Sequence, residues 1–367
     1  MKKYKLGTVV ILMLLIFSSC KVGRYVYYNF ANITDYKIFP SRKLVADSAK
    51  FIFPIGSAPK SPKDITYKGD KITFEAFLEE SKTVAFLVIK NDSIQYEKYA
   101  NGYEQSSVVA SFSMAKSVTS ILIGCALDDK LIKSIDEPVT NYIPELKENG
   151  FTKLTIRQLL QMMSGVRFNE SYVNPFADAG TFYYGRNLRK AIYNRKLENE
   201  PGTTFRYSSG DTQILGLVLE RALKGKTITS YLQEKIWTPL GMEYDASWSL
   251  DKKQDGLEKT FCCINARARD FAKIGRLYLN NGKWNGKQIV SESWVKESVT
   301  ADTSNGQPSH YKFQWWLPNN KGDFMAQGIL GQYIYVNPKT NVVIVRLGKN
   351  YGIANWGEVL GKLSESY

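Results

Sequence analysis

Apolar positions along the chain follow two kinds of pattern. Val84-Ala85-Phe86-Leu87-Val88-Ile89 is unbroken, and beyond Asn91-Asp92 the run Ile94-Gln95-Tyr96-Glu97-Lys98-Tyr99 alternates. A continuous run of strand length, joined through a turn pair to a period-two run, predicts a β-hairpin with one well-buried strand. A matching hairpin is predicted near the C-terminus, where Tyr333-Ile334-Tyr335-Val336 turns through Asn337-Pro338-Lys339-Thr340-Asn341 into Val342-Val343-Ile344-Val345-Arg346-Leu347. Between the hairpins the spacing lengthens to three and four residues. That period predicts helices over 115–127, 157–163, 212–223, 228–236 and 268–279. Gly225 is placed to cap the third, and Pro239-Leu240-Gly241 stops the fourth. Strands near both ends with helices between them predict an α/β fold: one sheet built from N- and C-terminal parts, carrying a helical insertion. Residues 66–125 and 256–367 are assigned to the sheet domain and 126–255 to the helical domain. Residues 21–65, interrupted by Pro40, Pro54, Pro59 and Pro62, read as a tether in which no function is expected.

The extreme N-terminus has a different character. Lys2, Lys3 and Lys5 precede the apolar run Leu6 to Phe17, and Ser18-Ser19-Cys20 follow it, which is the layout of an export signal. Its twelve residues fall short of the roughly 20 that a membrane-crossing helix needs. Phe17-Ser18-Ser19-Cys20 resembles a bacterial lipoprotein cleavage box. The resemblance implies a lipoprotein signal peptide over 1–20, lipidation of Cys20, and an exported periplasmic or cell-envelope protein held to a membrane through that lipid.

Composition narrows the partners. A chain of 367 residues that is 44% apolar and 13% aromatic is that of a globular protein. Its 49 basic against 35 acidic residues leave a formal charge of +14, spread without a basic block or a nucleic-acid module, so a solvated basic surface is expected and no nucleic-acid partner. Besides Cys20 there are Cys125 and the adjacent Cys262 and Cys263, which imply no disulfide framework. With no CxxC and no His-x-x-x-His, no metal site is expected.

The chemistry is constrained by a scarcity. The chain holds one histidine, His310, and no Gly-x-Ser-x-Gly, so a Ser-His-Asp triad has little to draw on and His310 reads as a loop residue. Lysine can serve as a base when burial disfavours its charged form, and Ser-x-x-Lys on a helix puts both side chains on one face. The spacing recurs at Ser57, Ser249, Ser293 and Ser309, in Pro-rich, polar or helix-C-terminal surroundings. Only Ser113-Met114-Ala115-Lys116 follows the hairpin and opens an apolar helix. There the unpaired N–H groups and the helix dipole favour an oxyanion beside Ser113 and a lowered Lys116 pKa. The alternative is an ordinary Ser113 helix cap with Lys116 in solvent.

Ser113-Met114-Ala115-Lys116 is similar to the Ser-x-x-Lys box of serine β-lactamases and penicillin-binding proteins. Pro201-Gly202-Thr203-Thr204-Phe205-Arg206-Tyr207-Ser208-Ser209 resembles that family's Tyr-x-Asn/Ser segment, and Gln327-Gly328-Ile329-Leu330-Gly331-Gln332 its second oxyanion strand. The resemblance runs from about residue 84 to 350 and implies a β-lactamase-like fold, an antiparallel sheet flanked by helices with an inserted all-helical lobe. It also implies attack by Ser113 on a carbonyl carbon, with Lys116 and Tyr207 sharing the proton and either of them the base, and an oxyanion hole from the N–H groups of Ser113 and Ile329. No cofactor is implied. Ala326-Gln327-Gly328 replaces the Lys-Thr-Gly box, and Ser209 stands where Asn is common, so the boxes are most similar to the 6-aminohexanoate-dimer hydrolase and esterase branch. That similarity implies cleavage of a small ester or linear amide. A D-alanyl-D-alanine carboxypeptidase or β-lactamase, and a catalytically inactive envelope binding protein on the same fold, are the alternatives. Tyr172, Ser209, Gly328 and Trp315 are the residues expected at the substrate, with Trp316 beside them in the cleft.

Overall fold

The computed structural model describes residues 21–28 and 30–367. The expected signal peptide and Cys20 lie outside the described residues. Among the described residues the largest sheet has seven strands, numbered here in chain order: β1 (Thr83–Lys90), β2 (Ser93–Tyr99), β3 (Tyr311–Lys312), β4 (Trp315–Trp316), β5 (Phe324–Gly328), β6 (Gln332–Asn337) and β7 (Val342–Gly348). Their spatial order is β3-β4-β5-β6-β7-β1-β2, every neighbour antiparallel. β7 beside β1 joins the two chain ends, as the hairpin patterns predict. The β1–β2 turn carries Asn91 and Asp92 at φ of +49° and +62°, a conformation these residues tolerate better than most.

The unbroken apolar runs have a direct cause: both faces of the sheet are covered. Ala85, Leu87 and Ile89 of β1 point into one core with Ile334, Val336, Val343 and Val345. Phe86 and Val88 point into the other with Tyr335, Ile344 and Trp356. Helices α1 (Met114–Asp128) and α3 (Ala268–Leu279) cover the first face, and the C-terminal helix α4 (Trp356–Ser366) covers the second. The helical lobe is centred on α2 (Ser209–Ala222), which packs against α1 and the short helix Ile156–Leu160.

Residues 21–65 are not a free tether. Helix Lys21–Tyr28 packs on Asp178–Tyr184, and Ser41–Leu44 is an edge strand of a second antiparallel sheet with Ala246–Ser249, Ile264–Ala266 and Val109–Ala110. The prolines interrupt regular period without preventing short elements from docking, since Ser41–Leu44 needs a partner on one side only. Strand Ala246–Ser249 likewise leaves the span assigned to the helical domain and joins that sheet.

Candidate active site

The second sheet fixes the approach to Ser113. Val109 and Ala110 pair with Ala266 and Asn265, Ser111 N–H donates to the Ile264 carbonyl at 2.8 Å, and the Ser111 hydroxyl accepts from Ile264 N–H at 3.1 Å. Phe112 then takes φ +43°, in the left-handed region, and the chain enters α1 at Ser113. Such a conformation in a non-glycine residue costs roughly 1–3 kcal/mol and is held only where its surroundings over-determine it. The Ser113 side chain makes no capping bond to α1, so the cap alternative does not describe it.

Lys116 lies one helical turn on, and its side chain is buried. Nζ is 3.0 Å from Ser113 Oγ, 3.1 Å from Ser209 Oγ and 3.0 Å from the Phe261 carbonyl oxygen. Burial pushes its pKa down to about 8, against an upward pull from the Glu170 charge. Tyr207, on the loop before α2, places its ring centroid 4.9 Å from Nζ and stacks on Trp316 at 5.6 Å. Burial and then Glu170 drive the Tyr207 phenol well above its ordinary value, and a hydrogen bond shared with Ser113 opposes them. The loop is held by Arg206 N–H, which donates to the Met162 carbonyl, and by Ser208, whose hydroxyl caps α2 through Asp211 N–H.

The hydrogens around Lys116 can be counted. Ser209 Oγ donates its one hydrogen to Glu170 Oε1 at 2.5 Å, so toward Nζ it can only accept. The Phe261 carbonyl also only accepts. A neutral amine therefore spends both N–H bonds on these two partners and turns its lone pair to Ser113 Oγ–H. Glu170 fixes this arrangement, because it further accepts from Ser209 N–H at 2.7 Å and from the Tyr172 hydroxyl at 2.6 Å. Sequence reasoning missed Glu170 and Phe261. Neither carries a local signal, since one is an unremarkable loop acid and the other acts through its backbone.

Gly328, at the end of β5, lies against the same turn: a Cβ there would sit 2.5 Å from the Ser111 carbonyl oxygen and 3.1 Å from Ser113 N. This close approach brings the residue after Gly328 up to Ser113. Among the described residues, neither the Ser113 nor the Ile329 N–H donates to a backbone carbonyl. The following turn is anchored from behind by buried Arg346, whose Nη1 donates to the Gly331 carbonyl at 2.6 Å and whose guanidinium covers Trp356 at 3.8 Å.

Ser113, Ser209, Tyr172 and Ile329 all line one cavity of about 420 Å³. Trp315 does not reach it. Its ring is fully buried, stacked on Tyr278 at 4.4 Å and edge-on to Phe324, because alternation along β4 sends it into the core and leaves Trp316 on the side of Tyr207. His310 is exposed and stacks on Trp316 at 6.1 Å. Cys262, in the cavity wall, is disulfide-bonded to its neighbour Cys263, so the bridge is local. Among the described residues no group of three or more His, Cys, Asp or Glu side chains converges as metal ligands would, and no helix is long and apolar enough to cross a membrane.

Residues 73–350 match the family model described as Beta-lactamase. The chain is 29% identical over 299 residues to the 6-aminohexanoate-dimer hydrolase of Paenarthrobacter ureafaciens, covering 74% of each chain. A provisionally assigned 6-aminohexanoate-dimer hydrolase from Bacillus anthracis superposes with a TM-score of 0.79 at 26% identity, covering 93% of both chains. A family VIII carboxylesterase shares the fold at a TM-score of 0.63 and 17% identity, over 80% of this chain and 95% of that one. With the family model spanning both sides of the sheet and the helical lobe between them, the chain belongs to the beta-lactamase family and is a hydrolase of that fold.

Proposed function

We propose that the chain is a serine hydrolase that cleaves a small ester or linear amide through an acyl-enzyme on Ser113. Lys116 is the general base. The observation that carries this reading is the set of three partners at Nζ: Ser209 Oγ and the Phe261 carbonyl can only accept, so in the neutral amine they take both N–H bonds and the lone pair is left for Ser113 Oγ–H. Electrostatics favours the same assignment, since a lysine pushed to about 8 is partly neutral near pH 7, whereas the Tyr207 phenol keeps its proton. As Oγ attacks the carbonyl carbon, its proton passes to Lys116, and the Tyr207 hydroxyl relays a proton to the departing alcohol or amine. The N–H groups of Ser113 and Ile329 receive the oxyanion. Water enters against the ester and the same groups run in reverse.

The experiment is a reaction with p-nitrophenyl butyrate, quenched early and digested for mass spectrometry. A butyryl adduct on Ser113, absent in Ser113→Ala together with turnover, is the expected result. Full turnover by Ser113→Ala would overturn the assignment, and an intact fold inert to esters and fluorophosphonates would favour a binding protein. We further propose export and lipidation at Cys20, on the strength of the sequence layout. Mass analysis of the mature N-terminus tests it, a diacylglyceryl-modified Cys20 being the expected species.

A further inference from the structure

The cavity beside Ser113 is small-molecule sized, its 420 Å³ falling within the usual range of roughly 300–1,000 Å³. Its composition is one-sided. Among the described residues that line it there is no Asp, Glu, Lys, Arg or His, while Phe112, Tyr183, Tyr184, Phe261 and Leu330 supply aromatic and aliphatic surface. Glu170 stands nearby, but its carboxylate is committed to Ser209 and Tyr172. A substrate carboxylate or ammonium entering here would lose its water and find no partner, which disfavours its entry.

Part of the wall comes from the segment expected to be a tether. Tyr25, Phe30 and Ala31 line the cavity. The helix that carries Tyr25, Lys21–Tyr28, is fastened at two points: Arg24 Nη1 donates to the Tyr184 carbonyl at 2.6 Å, and the Tyr25 hydroxyl donates to the Tyr172 carbonyl at 2.7 Å. The Tyr25 ring is edge-on to Tyr184 at 5.5 Å and to Phe30 at 6.1 Å. Apolar surface continues to the rim, where Phe30 is 50% and Val173 74% exposed. Apolar surface that runs on from a cavity to its rim is one mark of a ligand-binding groove.

We propose that this cavity is an acyl-binding site for an uncharged apolar chain several carbons long, with Tyr25 and Phe30 of the N-terminal segment as specificity-determining residues. The inference rests on the reading of Ser113 as nucleophile. The acyl part is the part assigned to the cavity, because it stays joined to Ser113 between the two half-reactions, whereas the alcohol or amine departs.

The test uses the full chain and p-nitrophenyl esters from acetate to decanoate. Burying one methylene favours binding enough to raise kcat/KM about three- to fourfold per added carbon until the cavity is filled. Phe30→Asn suits the test because Phe30 sits at φ +68°, which Asn tolerates. That variant and Tyr25→Ala should each lower the decanoate-to-acetate ratio about tenfold or more. Ile52→Asn, which removes an exposed apolar side chain outside the cavity, should leave the ratio unchanged. A readout free of catalysis is calorimetric binding of alkanamides of increasing length to Ser113→Ala, expected to tighten with length and to lose that trend when Phe30→Asn is added. A flat chain-length dependence in the wild type, an unchanged ratio in both cavity variants, or alkanamide affinity independent of length would each overturn the proposal. Hydrolysis surviving in Ser113→Ala would instead sink the nucleophile reading, with alkanamide binding still judging the cavity.

Discussion

Replacing Glu170 by Gln removes a charge and keeps the shape, and its consequence can be followed atom by atom. Three donors meet the carboxylate: Ser209 N–H at 2.7 Å, Ser209 Oγ–H at 2.5 Å and the Tyr172 hydroxyl at 2.6 Å. Glutamine offers one acceptor oxygen and one NH₂. A backbone N–H cannot turn away whereas hydroxyls can, so the amide oxygen must face Ser209 N–H and the NH₂ must face the two hydroxyls. Ser209 Oγ then accepts from the introduced amide where it had donated to a carboxylate, and its own hydrogen is released toward Lys116 Nζ, 3.1 Å away. That hydrogen occupies the lone pair otherwise turned to Ser113. Loss of one charge-assisted hydrogen bond is worth about 1.5–3 kcal/mol, which predicts a fall of roughly 10- to 100-fold in kcat at the pH plateau. The charge has a second signature. Glu170 raises the Lys116 pKa against burial, so its neutralisation should move the acid limb of the pH–rate profile to lower pH. Steady-state hydrolysis of p-nitrophenyl butyrate across the acid limb and plateau, with a thermal melt as fold control, reads both effects. A Glu170→Gln enzyme with wild-type kcat and an unmoved acid limb would refute the hydrogen count at Lys116.

Four further outcomes are expected. Lys116→Arg should be inactive in the same ester assay at every pH, because a guanidinium keeps its proton. Wild-type kcat/KM should fall about tenfold per pH unit below the Lys116 pKa of about 8; a profile flat through that value would exclude lysine as the base. Gly328→Ala should reduce kcat about 100-fold or more with a much smaller change in Tm, since its Cβ would meet the Ser111 carbonyl oxygen at 2.5 Å and force β5 from Ser113. Lys259 is buried against the Phe182 and Tyr183 carbonyls with its pKa pushed down to about 7 by burial. Below about 7 both folded and unfolded states hold its proton and the fold carries the buried charge. Between that value and the ordinary lysine value of 10.5 the unfolded state binds more proton, so its contribution to stability rises with pH. A curve of Tm against pH for Lys259→Met should lack that rise; a curve parallel to the wild type would contradict it.

What could be read from the sequence and what could not divide along a physical line. Helix α3 was legible to the residue, Ala268–Leu279 against a predicted 268–279, because its apolar stripe is set by one long packing surface on β6 and β7. The hairpins were legible because β1 and β7, covered on both faces, require unbroken apolar runs, while β2 at the sheet edge alternates. The structure brings Ser113, Lys116 and Tyr207 together, the first two through covalent spacing and helix phase, the third on the loop before α2 that resembles the family's Tyr-x-Asn/Ser segment. Glu170 and the Phe261 carbonyl answer to no such rule. The Phe261 carbonyl meets Lys116 across 145 residues of chain, and Glu170 acts on it across 54 through Ser209 and through its charge, an arrangement that only the assembled lobes create, and a carbonyl has no side-chain identity to read. Trp315 failed for a smaller reason: in a two-residue strand a single step of alternation decides between cleft and core, and nothing local says which of Trp315 and Trp316 points inward. The tether failed because proline density marks irregular chain, not undocked chain. Arg24 and Tyr25 bond to carbonyls of Tyr184 and Tyr172. The rest of the cavity wall is tied to the sheet or the inserted lobe, whose packing constrains it, so the docked N-terminal helix is the part of this site most free to differ in what it admits.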